Sequence, residues 1–350
     1  MTKVGILGAG AIGSLVGGLI QTHDPEVEVV MLSRGEHGRM MEQRGTIVLH
    51  GPWGTRETPV TVCTDLEQLR DCDLHILTVK SQDTVETLER VGPYLGDATI
   101  VSLQNGTNQT VLRKFLPAEQ FLVGMTAINV ALVEPGTVSL QLDGVTMIGS
   151  TLSDPPQDRI EKALQILRKS GLAFKSHENI VGVQLNKVSI NCPGYASVLS
   201  QSSFLTECIL DRSWRNEVAK PLLDECFAVL KAAGVNLVRV PGPSDIKRFR
   251  SLLNLLDVPL LGWIAATVIR ITKRKRIVYS VEQDLIRRKP TEIDYVNGEI
   301  VRLAKEHGTE APFNELVVEM VHQLEQRDPL KFFSMDEVVE RFRQLRASLS

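Results

Sequence analysis

The opening stretch "KVGILGAGAIGSLVGGLIQTH", Lys3 to His23, constrains the fold more than any other part of the chain. A short apolar run, "VGIL", leads into Gly8-Ala9-Gly10-Ala11-Ile12-Gly13, and a helix-compatible segment follows at once. Strand, G-x-G-x-x-G and helix in that order is the fingerprint of a dinucleotide-binding βαβ unit. Each glycine has a physical task. The first permits the tight turn, the second lets the backbone approach a pyrophosphate, and the third allows the helix to lie close on the strand. The six residues from Gly8 to Gly13 are therefore expected to contact the cofactor. Gly17 and Gly18 are read as helix-packing positions.

A second apolar run, "EVVMLS", ends in Ser33-Arg34, where a site for NAD usually carries Asp or Glu to hold the ribose 2′-hydroxyl. A hydroxyl and a guanidinium suit a 2′-phosphate, which a carboxylate would repel. NADPH is thus the expected cofactor, with Arg34 as a contact. Two more strand signals, "LHILTVK" and "TIVSLQNG", end in Lys80 and Asn105. The carboxyl ends of strands in a doubly wound sheet line the ligand crevice, which places Lys80 and Asn105 at the cofactor. Between them, "GTIVLHGPWGTRETPVTV" reads as a hairpin excursion, and "TAINVALVEPGTVSLQLDGVTMIG" as further antiparallel strands at the sheet edge.

A chain of 350 residues exceeds the usual single core, so two domains are expected. With 43% hydrophobic and 23% charged residues the composition is that of a globular protein. A net charge of −3 gives no global reason to bind nucleic acid or an anionic membrane, and a small-molecule partner is expected. Five widely spaced cysteines without a C-x-x-C pair suit neither a disulfide framework nor a zinc site. A reducing, cytoplasmic setting is the expectation. The start of the chain lacks a secretory pattern. The uncharged run Val258 to Ile269 is too short to span a bilayer, and no membrane span is expected.

The fold class expected is α/β, a Rossmann-type dinucleotide-binding domain over residues 1–176, followed by an all-α domain over 177–350. "RNEVAKPLLDECFAVLKAAG" and "TEIDYVNGEIVRLAKEHG" read as helices, the latter capped by Thr291 after Pro290 and stopped at Gly308. In "QLNKVSIN" a lysine stands among apolar residues with an asparagine four positions on. On a helix Lys187 and Asn191 share one face. A cleft between two such domains is a common place for a reaction.

Taken together, "GILGAGAIGS", "LTVKSQDT", "SLQNG", "LNKVSINC" and "KPTEIDYVNGEIVRLAKEHGTEAP" resemble the ketopantoate reductase family, over residues 3 to about 325. The resemblance implies reduction of a 2-oxo acid by NADPH. Position by position it implies Lys187 as the catalytic lysine, Glu292 as the site glutamate, and Asn191 and Ser280 as substrate contacts. Lys80, Asn105 and the Gly8–Gly13 loop fall on its cofactor contacts, and Ala131, in "INVALVEPG", on another. Hydride reaching C2 leaves negative charge on the carbonyl oxygen, which an ammonium can stabilise and then protonate. Burial lowers a lysine's pKa and a neighbouring carboxylate raises it, so Lys187 and Glu292 together can tune the donor. Glu292 is also placed to hold a substrate hydroxyl.

Two positions depart from the family's pattern. Tyr195 stands where an asparagine is usual, and Ile277 where an asparagine precedes the serine. They raise a different, more apolar 2-oxo acid as an alternative to ketopantoate. Rival readings are a β-hydroxyacid or opine-forming dehydrogenase and a non-catalytic NADPH sensor, and the Thr-Glu-Ile-Asp-Tyr stretch and the retention of Lys187 with Glu292 weigh against them. Residues 241–276 read as a core helix pair or a homodimer contact, with a lid or membrane-surface segment as the alternative. "MDEVVERFRQLRAS" carries an apolar stripe at Val338, Phe342 and Leu345.

Overall fold

The computed structural model describes residues 1–238, 245–272 and 278–349. Ile277 and parts of the segment 241–276 lie outside the described residues. The chain divides into two compact units, Met1–Gln184 and Leu185–Ser350.

Twelve strands build the first unit: β1 Lys3–Leu7, β2 Glu28–Leu32, β3 Thr46–Gly51, β4 Gly54–Pro59, β5 Thr61–Val62, β6 Leu74–Leu77, β7 Thr99–Ser102, β8 Phe121–Thr126, β9 Asn129–Glu134, β10 Thr137–Leu142, β11 Thr146–Gly149 and β12 Phe174–Ser176. Eight of them form one sheet in the order β12-β11-β8-β7-β6-β1-β2-β5. From β5 to β8 the pairings are all parallel, and β11 joins antiparallel to β8. The apolar runs that read as strands are buried on both faces, as a parallel sheet covered by helices requires. Strand order reverses at β1 and β6, the switch point beside which such folds bind ligands.

The structure corrects one expectation. The hairpin is present as β3–β4, but β9 and β10, expected at the edge of the main sheet, join it instead in a separate four-stranded sheet of order β4-β3-β10-β9. β10 lies parallel to β3, with Val138 opposite Leu49. The first helix, Ala11–His23, touches strands of both sheets. A side chain at Gly17 would meet Ile6 and Met31 from one sheet, and one at Gly18 would meet Leu49 and Ile47 from the other, at about 3 Å in each case. Two adjacent glycines thus let two sheets close on one helix.

The second unit is helical. The helix Ile180–Val198, which begins at the end of the first unit, carries Lys187 and Asn191 and contains Pro193. Proline has no N–H to give, so the bond it would make back to the Ser189 carbonyl is missing. The carbonyl of Cys192, just before it, accepts from Asn297 Nδ2 at 3.4 Å. The run "RNEVAKPLLDECFAVLKA" is not one uniform helix: Arg215–Ala219 widens into a π-helical turn ahead of Lys220–Ala232, whose Pro221 cannot donate to the turn before it. The stripe expected at the carboxyl-terminal helix Met335–Leu349 is present, with Val338 and Phe342 buried and Phe342 stacked on Phe313 at 5.6 Å between centroids.

A second correction concerns Thr291. The helix expected from Thr291 to Gly308 is broken at Val296: a 3-10 turn spans Ile293–Tyr295 and the α-helix begins only at Asn297. Asn297 is fully buried and donates to Asn314 Oδ1 at 3.1 Å as well as to Cys192. Asn314 donates in turn to Glu225, which also accepts the backbone N–H groups of Phe313 and Asn314 at 2.7 and 2.9 Å. Burial pushes the Glu225 carboxyl up to about 7. This polar chain fixes the start of the helix at Asn297 and leaves Glu292 in the turn before it.

Candidate active site

The expected site residues fall into two sets, one in each unit. In the first unit the nucleotide loop runs from the end of β1 into the first helix. Gly8 has φ of +97°, a backbone conformation that side chains rarely adopt, and a Cβ there would sit 2.4 Å from Val79. A Cβ at Gly13 would meet Thr78 Oγ1 at 2.4 Å and the Gly8 carbonyl at 2.7 Å. At Gly10 the same construction enters open space. Two glycines are therefore required by the protein's own packing. Gly10 is not, and its open side is where a ligand can reach the backbone.

The loop carbonyls are tied back into the protein. Thr78 Oγ1 donates to the Gly8 carbonyl at 2.8 Å, while Ser14 and Ser33 both donate to the Ala9 carbonyl at 3.1 Å. Gly136 N–H donates to His37 Nδ1 at 2.9 Å, so the neutral ring carries its proton on Nε2 and donates to Ser14 Oγ at 3.0 Å. Burial lowers the His37 pKa and keeps that ring neutral. With the carbonyls held this way and no side chain capping the helix, the first-turn N–H groups at Ala11, Ile12 and Gly13 form an anion-binding end. These features fit a dinucleotide pyrophosphate.

Lys80 and Asn105 follow β6 and β7 at the same edge of the sheet as the loop, and a buried network that sequence reading missed holds them there. Ser81 Oγ donates to the Asn105 carbonyl at 2.9 Å, and Asn108 donates to both at 2.9 and 3.1 Å. Gln104 donates to the Val79 carbonyl at 3.0 Å and to Thr84 Oγ1 at 2.7 Å. Arg34 follows β2 and pairs with Asp83, in the turn after Lys80, and more distantly with Glu86 at 3.9 Å. Ala131 stands apart from this set. It lies in mid-strand in β9 of the smaller sheet, opposite Ser139, and not at a strand end of the main sheet.

In the second unit Lys187, Asn191 and Tyr195 recur at four-residue intervals along one helix face. The Lys187 ammonium is desolvated, which lowers its pKa to about 8, against the opposing pull of the Glu292 carboxylate. Glu292 is buried. The same carboxylate bears on Tyr195, whose phenol is pushed up first by burial and then by Glu292. Tyr195 and Ser280 share a hydrogen bond of 3.1 Å, and Tyr279 packs edge-on against the Tyr195 ring at 5.6 Å. Tyr195, which the sequence marked only as a departure from a pattern, thus bonds Ser280 and stands in the field of the Glu292 carboxylate. A side chain at Gly194 would strike the Tyr279 hydroxyl at 2.4 Å, so glycine there admits the tyrosine pair.

The family description "Ketopantoate reductase PanE/ApbA" matches residues 4–152, and its carboxyl-terminal counterpart matches residues 179–325. The chain belongs to the ketopantoate reductase family. Its members are oxidoreductases acting on CH–OH groups. Among curated ketopantoate reductases, the 2-dehydropantoate 2-reductase of Pyrococcus horikoshii is 29% identical over 91% of this chain and 96% of its own length. That of Halobacterium salinarum is 27% identical over 93% and 99%. Among solved structures, a ketopantoate reductase from Ralstonia eutropha superposes with a TM-score of 0.75 at 24% identity, covering 93% of this chain and 98% of its own. A D-mandelate dehydrogenase holding NADH and anilino(oxo)acetate gives 0.77 at 23% identity, covering 94% and 99%. At these identities the two structures establish the fold of this chain alone.

Proposed function

We propose that the chain reduces 2-dehydropantoate to its 2-hydroxy acid with NADPH. The observation that carries this reading is the desolvated Lys187 ammonium opposed by the buried Glu292 carboxylate, on the helix face that also presents Asn191. A lysine kept near the working pH is what a reductase needs as proton donor, whereas a surface lysine stays at its ordinary value. The relatives named above carry the same activity in their names.

The Gly8–Gly13 loop, Lys80 and Asn105 would hold the dinucleotide, with Arg34 at the 2′-phosphate; Ala131 is a further contact that the family resemblance implies. NADPH, when bound, supplies the hydride that adds to C2 of the 2-oxo acid. Lys187 stabilises the charge that develops on the carbonyl oxygen and delivers a proton to it, leaving a neutral amine that solvent reprotonates. Asn191, whose side chain has no hydrogen-bond partner among the described residues, is available to the substrate carboxylate or carbonyl oxygen. Ser280 contributes a hydroxyl oriented by Tyr195, and Glu292 accepts from a substrate hydroxyl.

The sign of the pH dependence follows. Reduction uses the protonated lysine, so kcat/KM for the 2-oxo acid is level below pH about 8 and falls above it as Lys187 loses its proton. Glu292→Gln removes the carboxylate that raises the Lys187 pKa, so the falling limb moves to lower pH. Steady-state profiles of the two proteins with NADPH and 2-dehydropantoate check this. A limb that stays in place in the Gln variant contradicts the role given to Glu292.

A further inference from the structure

The helices Ile246–Leu255 and Pro259–Thr272 turn through 120° at the break between them. The first is amphipathic and buries Ile246, Phe249 and Leu253. The second is different: of its fourteen residues Gly262 alone is buried, while Leu260 is 70% exposed, Trp263 65% and Ile271 59%, with Leu261, Ile264 and Val268 also exposed. Monomeric surfaces rarely present so many large apolar side chains on one element. No single helix among the described residues is long and apolar enough to cross a membrane, and this helix is too short to span one.

The charges around it select the partner. Between Ile246 and Val281 the sequence has eight Lys or Arg and a single acid, Asp257. That acid is already engaged by Arg215 and Lys220, which hold its carboxyl down at about 2. Lys247 and Arg248 are exposed on the first helix and Arg270 on the second. In the sequence Lys273, Arg274, Lys275 and Arg276 follow Thr272 directly. A two-fold dimer through this face would set the same patch against itself, with exposed Lys247, Arg248 and Arg270 on both sides and Asp257 already paired, so like charge would meet like. A nucleic acid would use the cations and leave the apolar side chains in water.

We propose that the helix Pro259–Thr272 is a membrane-surface anchor that lies in the headgroup region of an anionic phospholipid bilayer. An apolar helix carrying a tryptophan and flanked by Lys and Arg is the composition of an interfacial anchor: the aromatic and aliphatic groups enter the acyl boundary while the cations meet lipid phosphates. None of the residues named for the candidate active site lies within this helix, so attachment and turnover can be measured separately.

Co-sedimentation of the full-length protein with phosphatidylcholine vesicles, and with vesicles containing a third of phosphatidylglycerol, tests this. The protein is expected to pellet with the anionic vesicles at low salt and to be released by at least tenfold at 0.5 M salt. A Leu260→Ser, Trp263→Ser double variant is expected to lose at least tenfold in vesicle binding while keeping its melting temperature and NADPH binding. A second variant, with Lys247, Arg248 and Arg270 all replaced by Gln, is expected to lose the preference for anionic lipid. Equal recovery with both vesicle types, or none with either, overturns the proposal. So does a double variant that changes the sedimentation-velocity mass from dimer to monomer with vesicle binding unchanged, because the face then joins two copies of the chain.

Discussion

Replacing Lys187 with alanine is expected to lower kcat/KM for the 2-oxo acid by about a thousandfold, within the range found when a proton donor or an oxyanion-stabilising group is removed. The loss falls on kcat, because the ammonium acts on charge that exists only as hydride arrives. Binding of NADPH, whose proposed contacts lie in the first unit, is expected to change less than twofold. Folding should survive: truncation removes a desolvated charge as well as its stem, so the lost packing is offset by a relieved burial penalty. Intrinsic fluorescence titration with NADPH, thermal melting and steady-state kinetics on one preparation separate the three effects. An Ala variant with normal kcat would remove Lys187 from the chemistry.

The second large effect separates the glycines of the nucleotide loop. Gly13→Ala forces a Cβ to within 2.4 Å of Thr78 Oγ1 and 2.7 Å of a backbone carbonyl. It is expected to cost about 2 kcal/mol of stability, as overpacking commonly does, and to weaken the cofactor because the helix must move away from the strand. Gly10→Ala meets nothing within 4 Å, so its melting temperature should stay at the wild-type value. Its NADPH affinity is nevertheless expected to fall by at least tenfold, because the new methyl occupies the space the pyrophosphate needs. Calorimetric melting together with NADPH titration distinguishes the two. Equal losses of stability would contradict the assignment of Gly10 to the ligand and Gly13 to packing.

How much of this was legible in the sequence depended on whether the signal was local. The G-x-G-x-x-G turn encodes its own backbone geometry, so loop, strand and helix could be read together. The spacing of Lys187 and Asn191 encodes a shared helix face in the same local way, and Tyr195 continues it past Pro193. The pairing of β3 with β10 was not legible, since alternation in each strand fixes which face is buried but not which distant strand lies alongside. Ala131 was placed with the cofactor contacts by resemblance, and it lies within that second sheet. The network of Ser81, Gln104 and Asn108 was also hidden, because Ser, Gln and Asn near strand ends read as ordinary turn residues. The break before Asn297 went unseen because it depends on partners at Cys192 and Asn314, distant in sequence. The cap at Thr291 and the stop at Gly308 marked the ends of one continuous helix in "TEIDYVNGEIVRLAKEHG", and buried polar contacts overrode that reading.

The most direct test of the central claim is to follow the hydride. Purified protein is mixed with 2-dehydropantoate and NADPH carrying deuterium at both C4 positions, and the product is examined by mass spectrometry and proton NMR. The account predicts one NADPH oxidised per product, with deuterium at C2 of the resulting 2-hydroxy acid and a proton from solvent on its oxygen. Tight binding of NADPH with no oxidation and no labelled product would contradict it.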